Sequence, residues 1–182
     1  AVGAPKLHVG LAFKLESRDS RATTELYETD DGPLGDYWKV VPHDKSRLCV
    51  YFPAEKESTN LRFHINAPFA STIGRDCIPY NDDNSVLRDQ IVGLLISSLP
   101  RLRDEKILTE DMLGTLPASR DDLGDFYRPF SEKLKAAFAT QPLLETLDGE
   151  FRSTNGLHLG SEAFREVFGD DELAFLSGVR KA

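Results

Sequence analysis

The residue with the clearest capacity for chemistry is Arg75. It stands after a small-residue turn, Ala70–Gly74, that follows an alternating run, Leu61–Ala67. Leu61, Phe63 and Ile65 alternate with Arg62, His64 and Asn66, the pattern of a half-buried strand. Pro53 and Pro68 punctuate the surrounding stretch, Phe52–Pro79, because each fixes φ and removes a backbone donor. A guanidinium stays charged and offers a planar, bidentate fork to phosphate oxygens. Lys56, Arg62 and Asn66 flank it in the sequence. In phosphoryl transfer, a cation supplied from a second domain can stabilise transition-state charge. The same strand–turn–Arg arrangement also ends many ordinary strands, where the arginine is only solvated.

The remaining reactive residue types form no such arrangement. His8, His43, His64 and His158 are scattered without metal-ligand spacing. His64 lies between apolar strand residues and reads as a hydrogen-bonded strand histidine. The pairs Asp30-Asp31, Asp82-Asp83, Asp121-Asp122 and Asp170-Asp171 are carboxylate clusters, and three of them precede helical runs. Capping and helix-dipole complementarity account for them better than catalysis does. The sequence contains no GxxxxGK(S/T), GxGxxG, HExxH or GxSxG, and no Ser–His–Asp set that sequence alone justifies. Cys49 and Cys77 form no CxxC pair; each has a mainly apolar context, so buried free thiols in a reducing compartment are expected.

The elements that must position Arg75 change character along the chain. Leu7–Leu15 alternates as a strand, and Glu16–Gly35 is a polar, hairpin-like excursion with a turn signal at Asp31-Gly32-Pro33. Tyr37–Val41 and Arg47–Phe52 are expected as a pair of strands joined by a turn at residues 42–46. Beyond Pro79 the period becomes helical. Asn81–Asn84 or Ser85 can cap a helix whose stripe is Leu87, Ile91, Leu94, Leu95 and Leu99, with Pro100 ending or kinking it. Thr109 starts a second helix closed by Pro117, and Asp121 or Asp122 starts a third. The third carries Leu123, Phe126, Tyr127, Phe130, Leu134, Ala137 and Phe138 on one face. A β-turn-β element is expected around Leu143–Phe151, and short helices over Ser161–Phe168 and Asp171–Leu176. This order predicts an α+β fold, with a mixed or antiparallel sheet in the N-terminal part and helices packed on one face. Residues 1–140 form the main domain, and 141–182 a C-terminal extension that can belong to it.

With 182 residues, 40% apolar and 29% charged, the chain suits a soluble globular domain that buries a core without staples. Lys and Arg total 22 against 30 Asp and Glu, a net charge of −8, which makes nucleic acid a poor partner. No apolar run approaches the length of a membrane span and no leader is evident, so a cytoplasmic location is expected. The chain begins at Ala1, which favours a piece of a longer protein over a processed one.

The segment Tyr51–Asp76, YFPAEKESTNLRFHINAPFASTIGRD, resembles a stretch in large sacsin-like proteins. Their ATPase module belongs to the GHKL superfamily, with the ninety-kilodalton heat-shock chaperone, gyrase B and mismatch-repair MutL. The matching elements are Phe52-Pro53, the loop Glu55–Asn60, the run from Phe63 to Ala70 and the turn Ser71–Asp76. Weaker likenesses continue at Leu87-Arg88-Asp89, Leu108-Thr109, Leu116-Pro117, Phe126-Tyr127 and Asp171-Glu172-Leu173. The superfamily's ATP site needs an acidic-Asn helix and a DxGxG-type lid; Asp31-Gly32-Pro33 and Asp148-Gly149-Glu150 do not continue as that lid. The resemblance therefore implies the segment after the nucleotide-binding domain, a middle or transducer-like domain resembling the second domain of ribosomal protein S5. It implies ATP and magnesium in the parent protein, held by an N-terminal nucleotide-binding domain. It also implies Arg75 as the residue lent to the γ-phosphate, with Ser71 and Thr72 supporting its loop. The alternative is a chaperone-like client-binding or other protein-interaction module, using the acidic surface and the excursion at 16–35, with Arg75 structural.

Overall fold

The structure, a computed structural model, describes residues 8–18, 32–146, 149–155 and 157. The chain divides into two units, Ala1–Ala137 and Phe138–Ala182. In the first, β1 (Gly10–Ala12), β4 (Leu48–Val50), β5 (Phe52–Pro53) and β6 (His64–Asn66) form one mixed sheet, in the order β1-β6-β4-β5. The β1–β6 and β4–β5 pairs are antiparallel, and β4 runs parallel to β6 with Leu48 opposite Ile65. A separate antiparallel ladder joins β2 (Lys14–Ser17) to β3 (Trp38–Val41).

The alternating run behaves as its pattern requires. Leu61, Phe63, Ile65 and Ala67 are buried, while Asn66 is exposed and Arg62 and His64 are half-buried. The ladder itself is confined to His64–Asn66. His64 is hydrogen-bonded as expected: its Nδ1 accepts from the Arg47 N–H at 3.0 Å.

Two strand expectations need correction. The run at residues 7–15 is not one strand: it breaks at Phe13, so that β1 pairs with β6 and β2 with β3. The Phe13 ring keeps the face of Leu11 and meets Phe63, the residue next in line after the Ala12–His64 pair, with centroids 4.9 Å apart, and Phe63 in turn lies 6.1 Å from Phe130. From Lys14 onward the backbone pairs with β3 instead of β6, and Leu15 ends up exposed. The stretches at 37–41 and 47–52 do not pair with each other, because β3 is taken by β2 and β4 sits between β6 and β5. The chain also reverses at Tyr51, where φ is +60°, so the stretch 47–52 supplies both β4 and the start of β5.

Three helices follow among the described residues. In α1 (Asp82–Asp104) Asn81 is the N-cap, its Oδ1 accepting from the Asn84 N–H at 2.9 Å, and Asp82 and Asp83 lie near the positive end. Ile91, Leu95 and Leu99 are buried on its stripe, while Leu87 and Leu94 are half-buried. The helix continues through Pro100 to Asp104, although the proline removes one backbone donor. Thr109 stands at the N-cap of α2 (Glu110–Thr115), and α1 packs on β1 while α2 packs on β3. In α3 (Gly124–Thr140) Phe126, Tyr127, Phe130, Leu134 and Ala137 are buried, as its periodicity requires. It starts later than expected, at Gly124, and the candidate cap Asp121 is engaged elsewhere. Asp121 Oδ2 accepts from the Ala118 N–H at 2.8 Å, and the Asp122 carbonyl accepts from Asn60 Nδ2 at 2.7 Å.

In the second unit β7 (Leu144–Glu145) and β8 (Phe151–Arg152) form the expected hairpin, with Gly149 at φ +78°. The helices expected at 161–168 and 171–176 lie outside the described residues, as does most of the excursion at 16–35. The fold is thus α+β, with small mixed and antiparallel sheets and helices packed against them. Among the described residues no helix is long and apolar enough to cross a membrane.

Candidate functional site: the Arg75 loop

Residues 70–80 connect β6 to α1 and carry Ser71, Thr72 and Arg75. The loop is pinned at its base by Asn84, a fully buried amide in the first turn of α1. Asn84 Oδ1 accepts from the Ala70 N–H at 2.8 Å, and its Nδ2 donates to the Ala70 and Pro79 carbonyls at 2.9 and 2.8 Å. One side chain therefore closes both ends of the loop, and each of its polar atoms is satisfied.

Halfway up, Asp76 gathers a second set of bonds. Its Oδ1 accepts from Thr72 Oγ1 at 3.1 Å, and its Oδ2 pairs with Lys56 Nζ at 2.5 Å. The Lys56 N–H also donates to the Asp76 carbonyl at 2.8 Å. The Lys56 ammonium and the Thr72 hydroxyl hold the Asp76 carboxyl down to about 2, well below its ordinary value. The Thr72 N–H reaches the Cys77 carbonyl at 3.0 Å, and the Arg75 N–H reaches the Thr72 carbonyl at 2.9 Å.

The third anchor is Glu57. Its Oε1 accepts from the hydroxyls of Tyr80 and Tyr127, both at 2.7 Å, and its Oε2 accepts from the Ile78 N–H at 3.2 Å. Tyr80 stacks on Phe126 at 4.5 Å, and the Arg88 guanidinium lies 5.0 Å from the Phe126 ring centre. Burial and the Glu57 carboxylate push the Tyr80 hydroxyl up to about 12, and the Tyr127 hydroxyl further in the same direction.

At the tip, Arg75 is exposed with φ at +57°, a left-handed backbone unusual for a residue with a Cβ. Its guanidinium carbon lies 5.7 Å from the centre of the Phe52 ring, within cation–π range, and no carboxylate forms an ion pair with it among the described residues. In the chain, Ile73 lies two residues before Arg75 and Tyr51 adjoins Phe52; they are 105% and 83% exposed. The arrangement can present a cation resting on the Phe52 ring to an anion brought from outside.

The sequence neighbours are not all brought together. Lys56 is committed to Asp76. Arg62 points elsewhere, its Nη1 donating to the Gly114 carbonyl at 2.7 Å and its Nη2 lying 3.6 Å from Asp121. Thr72 supports the loop by its hydroxyl and its backbone, whereas Ser71 makes no hydrogen bond among the described residues. Both cysteines are free but half-buried rather than buried, and Cys77 Sγ lies 3.6 Å from Thr72 Oγ1. Sequence reasoning missed Phe52 as the guanidinium's support and Glu57 as the tyrosine acceptor. Among the described residues no group of three or more His, Cys, Asp or Glu could hold a metal ion. No protein-family model matches this chain, and neither does any curated protein or solved structure searched against it.

Proposed function

We propose that this chain is the middle, transducer-like domain of a larger GHKL-type ATPase of the sacsin-like kind, acting in the cytoplasm. In this reading Arg75 is lent to the γ-phosphate of ATP bound in a neighbouring nucleotide-binding domain, and docking of the two couples the nucleotide to conformational change. The observation that carries it is the state of Arg75: an exposed guanidinium without a carboxylate partner among the described residues, on a loop anchored at three points. A cation held this way needs little rearrangement before it meets developing negative charge. ATP and magnesium belong to the neighbouring domain in this proposal, and this chain contributes the guanidinium, with Thr72 bracing the loop. An α+β fold with a mixed sheet is compatible with the proposed likeness to the second domain of ribosomal protein S5. Arg75→Ala in the full-length protein should lower ATP turnover about a hundredfold, with nucleotide affinity unchanged. Unchanged turnover would remove the assignment.

A second reading rests on Ile73 and Tyr51, two large apolar side chains whose exposure suits an anchor for a client or partner protein. Under it, Ile73→Ser abolishes capture of that protein while ATP turnover is intact.

A further inference from the structure

We propose that Asp76 is a positioning residue for Arg75, and that its ion pair with Lys56 is the latch that fixes where the guanidinium stands. The inference rests on the reading of Arg75 given above and adds how that site is held and regulated.

Two adjacent loop residues are tied to one short segment. Arg75 lies over Phe52, in β5, and Asp76 pairs with Lys56, four residues further on, through both side chain and backbone. The second tie sets the register of the first. The Asp76 carboxylate also folds back over the loop: a Cβ on Gly74 would meet its Oδ1 at 3.2 Å. From there it reaches Thr72 and so spans the tip that holds Ile73, Gly74 and Arg75. Without it, the base of the tip keeps the backbone bonds from Thr72 to Cys77 and from Lys56 to Asp76, while residues 73–75 themselves keep, among the described residues, the Arg75-to-Thr72 backbone bond and the contact with Phe52. Those are weak restraints for a non-glycine residue at φ +57°.

The latch is exposed on its lysine side, so salt and solvent reach it. The guanidinium's placement therefore responds to ionic strength, whereas the Asn84 anchor, an uncharged buried amide, does not.

The test is a pair of substitutions in the full-length protein, each made alone and on the Arg75→Ala background. Asp76→Asn should lower ATP turnover about tenfold with nucleotide affinity unchanged, since a displaced group loses much of its effect. It should lower turnover no further once Arg75 is alanine. Lys56→Met, at an exposed position, should act in the same direction and show the same lack of additivity. Equal losses in both backgrounds, or no loss in either, overturn the latch. If Arg75→Ala is itself silent, the function proposed for Arg75 falls; if Arg75→Ala is effective and Asp76→Asn silent, only the latch falls. A readout independent of turnover is amide hydrogen exchange at Lys56 and Arg75. Exchange should speed in Asp76→Asn and in high salt, with the amides of α1 unchanged, and unaltered exchange at Lys56 and Arg75 overturns the proposal.

Discussion

Asn84 grips Ala70 from both sides, accepting from its N–H at 2.8 Å and donating to its carbonyl at 2.9 Å. The pairing copies what a neighbouring strand would offer, but from a helix. It takes over just where the β6 ladder stops, four residues after Asn66. A third bond, to the Pro79 carbonyl, makes the same amide the hinge pin of the loop.

Replacing that amide should be among the more damaging single changes in the chain. Asn84→Ala leaves three backbone groups without their partner and is expected to lower unfolding free energy by about 2 kcal/mol. Asn84→Asp should do worse, because a second carboxylate oxygen then faces two carbonyls. Urea denaturation followed by tryptophan fluorescence reads both.

The Glu57 cluster predicts a response to alkali. Tyr80 and Tyr127 both have hydroxyls raised above the ordinary 10.0, so the folded state holds these protons more tightly than the unfolded chain does. Their stabilising contribution is complete below pH 10. It is lost as pH rises through about 12, where Tyr80 ionises in the folded state. Thermal melts between those values should show a falling midpoint, flattened in the double variant Tyr80→Phe/Tyr127→Phe. At neutral pH, Tyr127→Phe alone should lower stability by about 1 kcal/mol.

Asp76 predicts the opposite limb. Its carboxyl is held near 2, against an ordinary 3.8, so its contribution is present above 3.8 and lost as pH falls through about 2. A carbon-detected titration of Asp76 should find its midpoint near the lower value. Lys56→Met should move that midpoint back towards the ordinary one, because the Lys56 bond is the largest cause of the shift.

Gly35 and Gly93 make a matched pair of opposite sign. A Cβ on Gly35 would sit 2.0 Å from the Lys106 carbonyl oxygen, where the Gly35 N–H donates to the Glu105 carbonyl at 2.7 Å. Gly35→Ala must push the short turn Leu34–Asp36 off the end of α1, at about 3 kcal/mol. Gly93 lies in α1 with open space around it, and Gly93→Ala should raise stability by about 0.5–1 kcal/mol through helix propensity alone. Comparing their denaturation midpoints checks both.

What the sequence showed depended on periodicity. The alternation around Ile65, the stripe through Ile91, Leu95 and Leu99 and the aromatic face of α3 were legible because burial follows spacing. In the loop at 70–80 the sequence marked the small-residue turn and the arginine it presents to solvent. Glu57 lies in a polar loop with nothing local to mark it, and its tyrosine partners reach it from positions 23 and 70 residues away. The break at Phe13 was hidden for a related reason: the alternation continues through it, while the backbone partner changes from β6 to β3, a strand more than 20 residues further along the chain. Tyr51 gave no warning, because a tyrosine in a left-handed turn contradicts its own propensity.

The hand-over at Phe13 has a mechanical consequence. One continuous length of chain serves as partner to β6 on one side of that residue and to β3 on the other. Tension applied from the amino end would shear the β1 rungs first and then draw on the Phe13 ring wedged against Phe63 before reaching β2. The two sheets thus meet an external pull in series, with an aromatic toggle between them.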